Sequence, residues 1–245
     1  DILGEHTKSK HESNAIANKY VDIFEKLEQN KLDCNISVKP SHIGSDVDNK
    51  VLKNNIEKLI DAAKKNNNFL RIDMEDSNLT ELSINIYKEN FKKKSYLGIV
   101  LQAYLKRTES DIENLDSSSN IRLCKGIYNE DKSISFKKPI DINKNFLNLL
   151  DKALEKNIYV GIATHDEKLI KSCLEIIELK KINKKNIEFQ MLYGVPMDNV
   201  IKKLMAQNFK IRIYVPYGKN WYDYSIRRIK ENPNISKYII KNLFK

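Results

Sequence analysis

The sequence predicts an α/β fold, a (β/α)8 TIM-type barrel forming a single domain over residues 1–245. Short apolar runs rich in β-branched residues recur eight times, each followed by a longer charged stretch whose apolar residues return at three- and four-residue steps. No internal repeat, low-complexity tract or linker interrupts this alternation, and 245 residues is an ordinary length for one such barrel. Each run also turns polar toward its C-terminal end, the end at which a barrel opens its mouth.

The runs follow in order. ILGEH (2–6) opens the chain, and NISVKPSHIG (35–44) is the second, with Ser37, Lys39 and Ser41 on one face by alternation. The amphipathic stripe Ile56, Leu59 and Ile60 leads to the third, FLRIDMED (69–76), whose shared face carries Arg71, Asp73 and Glu75. The fourth is YLGIVLQAY (96–104), with Val100 and Gln102 together, and Ser117-Ser118-Ser119 after it is a loop signal. In the fifth, IRLCKGIY (121–128), alternation sends Arg122 and Lys125 to opposite faces, but Gly126 permits a kink that brings both to the mouth. A stripe of Leu149, Leu150 and Leu154 precedes the sixth, YVGIATHD (159–166), which pairs Ala163 with His165. The seventh, IEFQMLYG (187–194), presents Glu188, Gln190 and Leu192. Ile201, Leu204 and Met205 lead to the eighth, FKIRIYVPYG (209–218), with Arg212 and Tyr214. One face per strand therefore collects Lys39, Asp73, Gln102, Arg122, His165, Gln190 and Tyr214 around one cavity.

Composition narrows the functional classes. Hydrophobic residues are 41% and charged residues 31%, with 7 Gly and 5 Pro, which excludes a disordered or fibrous chain. No run approaches the roughly 18 apolar residues of a membrane span, and the first residues lack the basic and apolar regions of a signal peptide. Cys34, Cys124 and Cys173 are odd in number and far apart without zinc spacing, so reduced thiols and a cytoplasmic location are expected. The net charge of +10 comes from lysines scattered through the helical stretches without interleaved aromatics. That pattern reads as a solvated surface with no nucleic-acid partner, and leaves room for weak contact at the inner face of a membrane.

The polar strand ends allow competing chemistries. Asp73 and Glu75 fit an ion network with Arg71 and Lys39 as well as a catalytic role, and they are badly placed for glycoside hydrolysis because neighbours on one strand cannot flank a sugar. His165 suits either a structural role or ligand contact beside Thr164. Asp73, Glu75, His165 and Glu188 could serve a metal-dependent lyase or isomerase, yet Lys39, Arg122 and Lys125 would crowd a cation, so no metal is expected. Two cations at the mouth suit an electron-rich cofactor, and the absence of GxGxxG and GxxxxGK[ST] leaves any dinucleotide to the barrel loops. After the last run, Arg227 and Arg228 stand four and three residues before Glu231 on one side of a helix at about 221–231. Read blandly this is a surface ion pair; preceded by Trp221, Tyr222 and Tyr224 it reads as a half-buried segment over the mouth whose arginines clamp a small carboxylate.

The segments FLRIDMED, GIVLQAYLKRTE, IRLCKGIY, IATHDE, EFQMLYG and RIYVPYGKNWYDYSIRRIKENP, in this order, resemble the proline dehydrogenase family over essentially the whole chain. The resemblance implies FAD-dependent oxidation of L-proline to Δ1-pyrroline-5-carboxylate, with hydride transfer to flavin N5 and a quinone as electron acceptor. It implies that Asp73 is the active-site aspartate, Arg122 the arginine beside N5, and Met74, Gln102, Lys125, Gly126, Ile127, Thr164 and His165 further flavin contacts. For the substrate it implies that Lys39 pairs with the active-site acidic group and that Arg227 and Arg228 clamp the carboxylate with Glu231 as neighbour. Tyr128, Leu192 and Tyr214 become the walls around the ring. Cys124, Ile127, Asn129 and Asp223 depart from the residues more usual in the family. A barrel that binds proline without turnover is the competing reading from another class.

Overall fold

The computed structural model describes residues 1–218 together with Tyr222 and Ile226. Seven parallel strands form one sheet in chain order: β1 Ile36–Val38, β2 Leu70–Ile72, β3 Leu97–Gln102, β4 Asn120–Cys124, β5 Tyr159–Ala163, β6 Ile187–Leu192 and β7 Lys210–Tyr214. The helices are α1 Lys10–Gln29, α2 Asn49–Lys65, α3 Ser77–Glu89, α4 Thr108–Glu113, α5 Pro139–Glu155, α6 Glu167–Leu179 and α7 Asp198–Ala206. Each strand pairs with its chain neighbour through a helical crossover, the order a barrel requires.

The sheet is curled. Tyr214 at the end of β7 reaches Asp73 just beyond β2, and Arg122 on β4 reaches Ser37 on β1, contacts that a flat sheet would keep many strands apart. The convex face carries Ile36, Ile72, Ile99, Leu123, Ile162 and Phe189, all buried against helices. Those helices present the stripes the sequence predicts, with Ile56, Leu59, Ile60, Leu149, Leu150 and Leu154 buried. Met205 is a correction: it is 59% exposed while Leu204 alone of its trio is fully buried. Capping fixes the helix starts, with Asp48, Asp76 and Asp166 accepting from the first turns of α2, α3 and α6.

The first predicted strand is the second correction, because residues 2–6 make only one bridge, Ile2 with Tyr217. Leu3 N donates to Tyr217 O at 2.8 Å, and Thr7 N donates to Ser41 O at 3.1 Å, so this segment spans the seam between the two sheet edges. Gly4 at φ +151° and His6 at φ +55° break the pleat that a strand needs. A Cβ at Gly4 would lie 2.4 Å from the His42 ring, so the segment can lie this close only with glycine there. All seven other runs also stop being strand earlier than predicted, at Val38, Ile72, Gln102, Cys124, Ala163, Leu192 and Tyr214. Beyond β1 the reason is Pro40, which lacks a donor for the ladder and opens a 3-10 turn.

Candidate active site

The concave face holds polar residues in two layers. In the lower one Arg71 is 1% exposed and donates to the Asn120 side chain at 2.7 Å, with its guanidinium over the Phe69 ring. Glu188 accepts from Arg212 Nε through both oxygens at 3.1 Å and from Gln190 at 2.6 Å. Burial opposes ionisation of Glu188, but Arg212, Arg71 and the Gln190 hydrogen bond outweigh it and hold the carboxyl below its usual range. Burial pulls the Arg71 guanidinium down to about 9, with Arg122 adding to the effect.

Arg122 organises the upper layer. Its Nη1 lies 2.6 Å from Asp73 Oδ1, its Nη2 donates to Ser37 Oγ at 2.9 Å, and its Nε donates to Gln190 Oε1. The guanidinium also lies 4.9 Å over the Tyr214 ring. The Tyr214 hydroxyl lies 3.0 Å from Asp73 Oδ2 and 2.9 Å from Asp1 Oδ2. Burial, with Asp73 next in weight, pushes the Tyr214 phenol well above its ordinary pKa, so it stays a neutral donor. Gly161 stands directly beside Arg122 in the ladder, and a Cβ there would lie 2.4 Å from Gln190 Nε2, so a larger residue would have to displace the Gln190 amide that holds Arg122.

At the mouth the predicted residues separate into groups. Lys39 pairs with Glu5 at 2.9 Å and with Asp1 at 3.7 Å, so the acidic partners implied for it are these two and not Asp73. Glu75 accepts from Ser41 N at 2.9 Å and from Ser41 Oγ at 2.5 Å. Burial raises its pKa against those donations and Lys39. The ion network read as Asp73 and Glu75 with Arg71 and Lys39 is therefore not formed; Asp73 pairs with Arg122. Met74 and Gln102 are buried beside it, and Gln102 Nε2 donates to Glu75 O at 2.8 Å while its Oε1 is buried without a hydrogen-bond partner.

The far side of the mouth is built by β4, β5 and β6. Lys125 donates to Asp166 Oδ2 at 2.7 Å. Burial works against the Asp166 carboxylate, but Lys125, Leu169 N and Asn143 bring it down to about 2. Gly126 takes φ +98°, where a Cβ would lie 2.0 Å from Tyr104 Cδ1. This is the kink expected to bring Lys125 round, and Ile127 beyond it is 52% exposed. Thr164 is buried and accepts from Asp166 N. His165 Nε2 receives Leu192 N at 2.8 Å, so the ring is neutral with its proton on Nδ1, and burial lowers its pKa in the same sense. Tyr128 and Leu192 are half-buried at this rim. The metal set does not assemble: Asp73 serves Arg122, Glu75 serves Ser41, Glu188 serves Arg212, and His165 serves a backbone amide. Arg227, Arg228 and Glu231 lie outside the described residues, as does most of the helix expected at about 221–231.

Sequence reasoning missed Asp1, Glu5 and Tyr20. Tyr20 on α1 donates to Asp1 Oδ1 at 3.0 Å and accepts from Ile2 N at 3.2 Å. The signal available was two carboxylates flanking a glycine in DILGE, at the start of the chain where alternation had no second strand to test it.

The model of the family described as proline dehydrogenase matches residues 1–240. Among individual relatives, Proline dehydrogenase 2 of Bacillus subtilis is 32% identical over 246 residues, covering 100% of this chain and 81% of that protein. Proline dehydrogenase of Deinococcus radiodurans is 30% identical over 251 residues with the same shares. In fold, the chain resembles proline utilization A (PutA) from Bdellovibrio bacteriovorus, solved after inactivation by N-propargylglycine, with a TM-score of 0.85 and 23% identity. The match covers 95% of this chain and 29% of that larger protein. Proline utilization A from Corynebacterium freiburgense aligns with a TM-score of 0.80. The barrel seen here is thus that of these solved structures, and by the extent of the family match and the identity to its members across the whole chain, this protein belongs to the proline dehydrogenase family.

Proposed function

We propose that this chain oxidises L-proline to Δ1-pyrroline-5-carboxylate in an FAD-dependent reaction whose electrons pass on to a quinone. The observation that carries the reading is Arg122, a cation fixed on three sides by Asp73, Gln190 and Ser37 at the floor of the mouth. A charge held this way needs no reorganisation when negative charge develops above it. FAD, when bound, would supply a two-electron acceptor, at flavin N5, for the hydride that leaves the substrate ring carbon beside nitrogen as that nitrogen loses a proton. The residues present fit such a group: the buried, unpartnered Gln102 Oε1 seeks an N–H donor of the kind a flavin ring carries.

Met74, Lys125, Gly126, Ile127, Thr164 and His165 would hold the cofactor, His165 through the Nδ1 proton that its contact with Leu192 N leaves available. Lys39, Arg227 and Arg228 would bind the substrate carboxylate, with Glu231 steadying the arginines. Tyr128, Leu192 and Tyr214 would enclose the pyrrolidine ring and exclude water from it. Asp73 and Tyr214 then form one hydrogen-bonded unit beneath the substrate, which orients it over Arg122. The three free cysteines suit a reducing, cytoplasmic compartment, and the basic surface suits passing contact with an anionic membrane from which a quinone is reached. The test is a visible spectrum of the protein incubated with FAD, before and after anaerobic L-proline. Yellow bands that bleach, with formation of the pyrroline product, support the reading; a protein that takes up no FAD, or whose flavin stays oxidised with L-proline, overturns it.

A further inference from the structure

The connection from β4 to α5, residues 125–138, carries Lys125, Gly126, Ile127 and Tyr128 and must stay in place for any of them to act. On one side it is stitched to the end of β3 by backbone. Tyr104 N donates to Lys125 O at 2.8 Å, Phe136 N to Tyr104 O at 2.7 Å, and Lys106 N to Ile134 O at 2.9 Å. On the other side it crosses to the end of β2 through a side chain. Glu130 Oε1 accepts from Ser77 N, and Oε2 from Ser77 Oγ, both at 2.6 Å.

Ser77 is the first residue of α3 and stands three residues after Met74. The amide it offers is one that the start of a helix leaves without an intrahelical partner, and a carboxylate there is further favoured by the helix dipole. Both residues are half-buried, so the two bonds are shielded from water on one side. Glu130 therefore joins the stretch 125–128 to the strand end that supplies Asp73 and Met74.

The geometry assigns Glu130 as a positioning residue: through Ser77 it locks the two sides of the FAD cradle, Asp73–Met74 and Lys125–Tyr128, into one rigid mouth. This rests on the flavin reading above, and nothing in it requires Glu130 to touch the cofactor. Two charge-assisted hydrogen bonds to one group are strong enough for their loss to be read in binding.

The test is FAD titration of the full chain, followed by flavin fluorescence quenching, with Glu130→Ala, Glu130→Gln, Ser77→Ala and Ser77→Ala/Glu130→Ala. Glu130→Ala raises the FAD Kd by ten-fold or more. Glu130→Gln stays within about three-fold of the parent, because a carboxamide can accept from Ser77 N and donate to Ser77 Oγ. Ser77→Ala falls between, and the double variant is no weaker than Glu130→Ala alone, the mark of a shared contact that general loss of stability would not give. Trypsin also cleaves the 125–138 connection of the FAD-free Glu130→Ala protein faster than that of the parent. A Glu130→Ala protein that binds FAD within two-fold of the parent overturns the proposal, as do additive losses in the double variant. A parent protein that binds no FAD overturns the flavin reading instead, and faster cleavage in the variant then still distinguishes the lock from its failure. Should Glu130→Ala not fold, Ser77→Ala against Glu130→Gln carries the same comparison.

Discussion

Replacing Arg122 by Met isolates what the central ion pair does. The Arg122 and Asp73 side chains are 9% and 11% exposed, and Nη1 to Oδ1 is 2.6 Å. Methionine fills much of the volume but removes the bonds to Asp73, Gln190 and Ser37 and the contact with the Tyr214 ring. Asp73 is then a buried carboxylate left with the Tyr214 hydroxyl, and breaking a buried pair from one side costs about 3–5 kcal/mol. Asp73→Asn should cost less, since the neutral amide oxygen still accepts from Arg122. The double variant Arg122→Met/Asp73→Asn removes both charges and should come out less destabilised than the two single costs together by ~2 kcal/mol. Urea unfolding of the flavin-free proteins, fitted with a common m-value, measures all three. On the functional side, the loaded Arg122→Met enzyme should reduce its flavin on the order of 10²-fold more slowly, as expected for loss of a preorganised charge. A stability loss below about 1 kcal/mol, or costs that add within about 0.5 kcal/mol, would refute the pair as a coupled unit.

Three other changes probe separate parts of the molecule. His42 is 4% exposed beneath Gly4, and burial, with Lys39 adding to it, brings its pKa down to about 4. Between pH 6.5 and 4 the unfolded chain therefore binds a proton that the folded chain refuses, so stability falls as the pH drops through this window, by ~3 kcal/mol in all. His42→Phe should flatten that slope by one proton, measured as the pH dependence of urea midpoints; an unchanged slope would show that other groups carry it. Gly126→Ala meets both a φ of +98° and the Tyr104 ring, and should cost roughly 2–4 kcal/mol in thermal unfolding; a cost under ~0.5 kcal/mol would mean the turn relaxes freely. Arg228→Met should weaken L-proline binding at least ten-fold while changing FAD affinity little, and equal loss of both would remove Arg228 from the carboxylate clamp.

Much of the site was legible in the chain because alternation is a local rule. Once the strands at 70–72 and 120–124 are recognised, Arg71 with Asp73, and Arg122 with the bore, follow from the two-residue repeat. The kink that rescues Lys125 was readable from Gly126, the only residue type that takes its conformation without strain. Pairing was not legible. The sequence offered Arg71 and Lys39 as partners for Asp73, and the curl of the sheet brought Arg122 to it instead. Glu75 was assigned to the same face as Asp73, but the last backbone bond of this run to its neighbour is Asp73 N to Val38 O, and past that point the period no longer applies.

By itself the sequence determined the order of strand and helix, which residues cover the convex face, and the family to which the chain belongs, because each of these is written in local periodicity and in short ordered motifs. Only the tertiary structure decided that residues 2–6 bridge the seam instead of forming a full strand, that Lys39 meets Glu5 and Asp1, that His165 is held neutral by Leu192 N, and that Glu130 reaches Ser77. Those contacts join residues tens to hundreds of positions apart. Their geometry depends on how far the sheet curls and how loops return over its mouth, which no local pattern encodes.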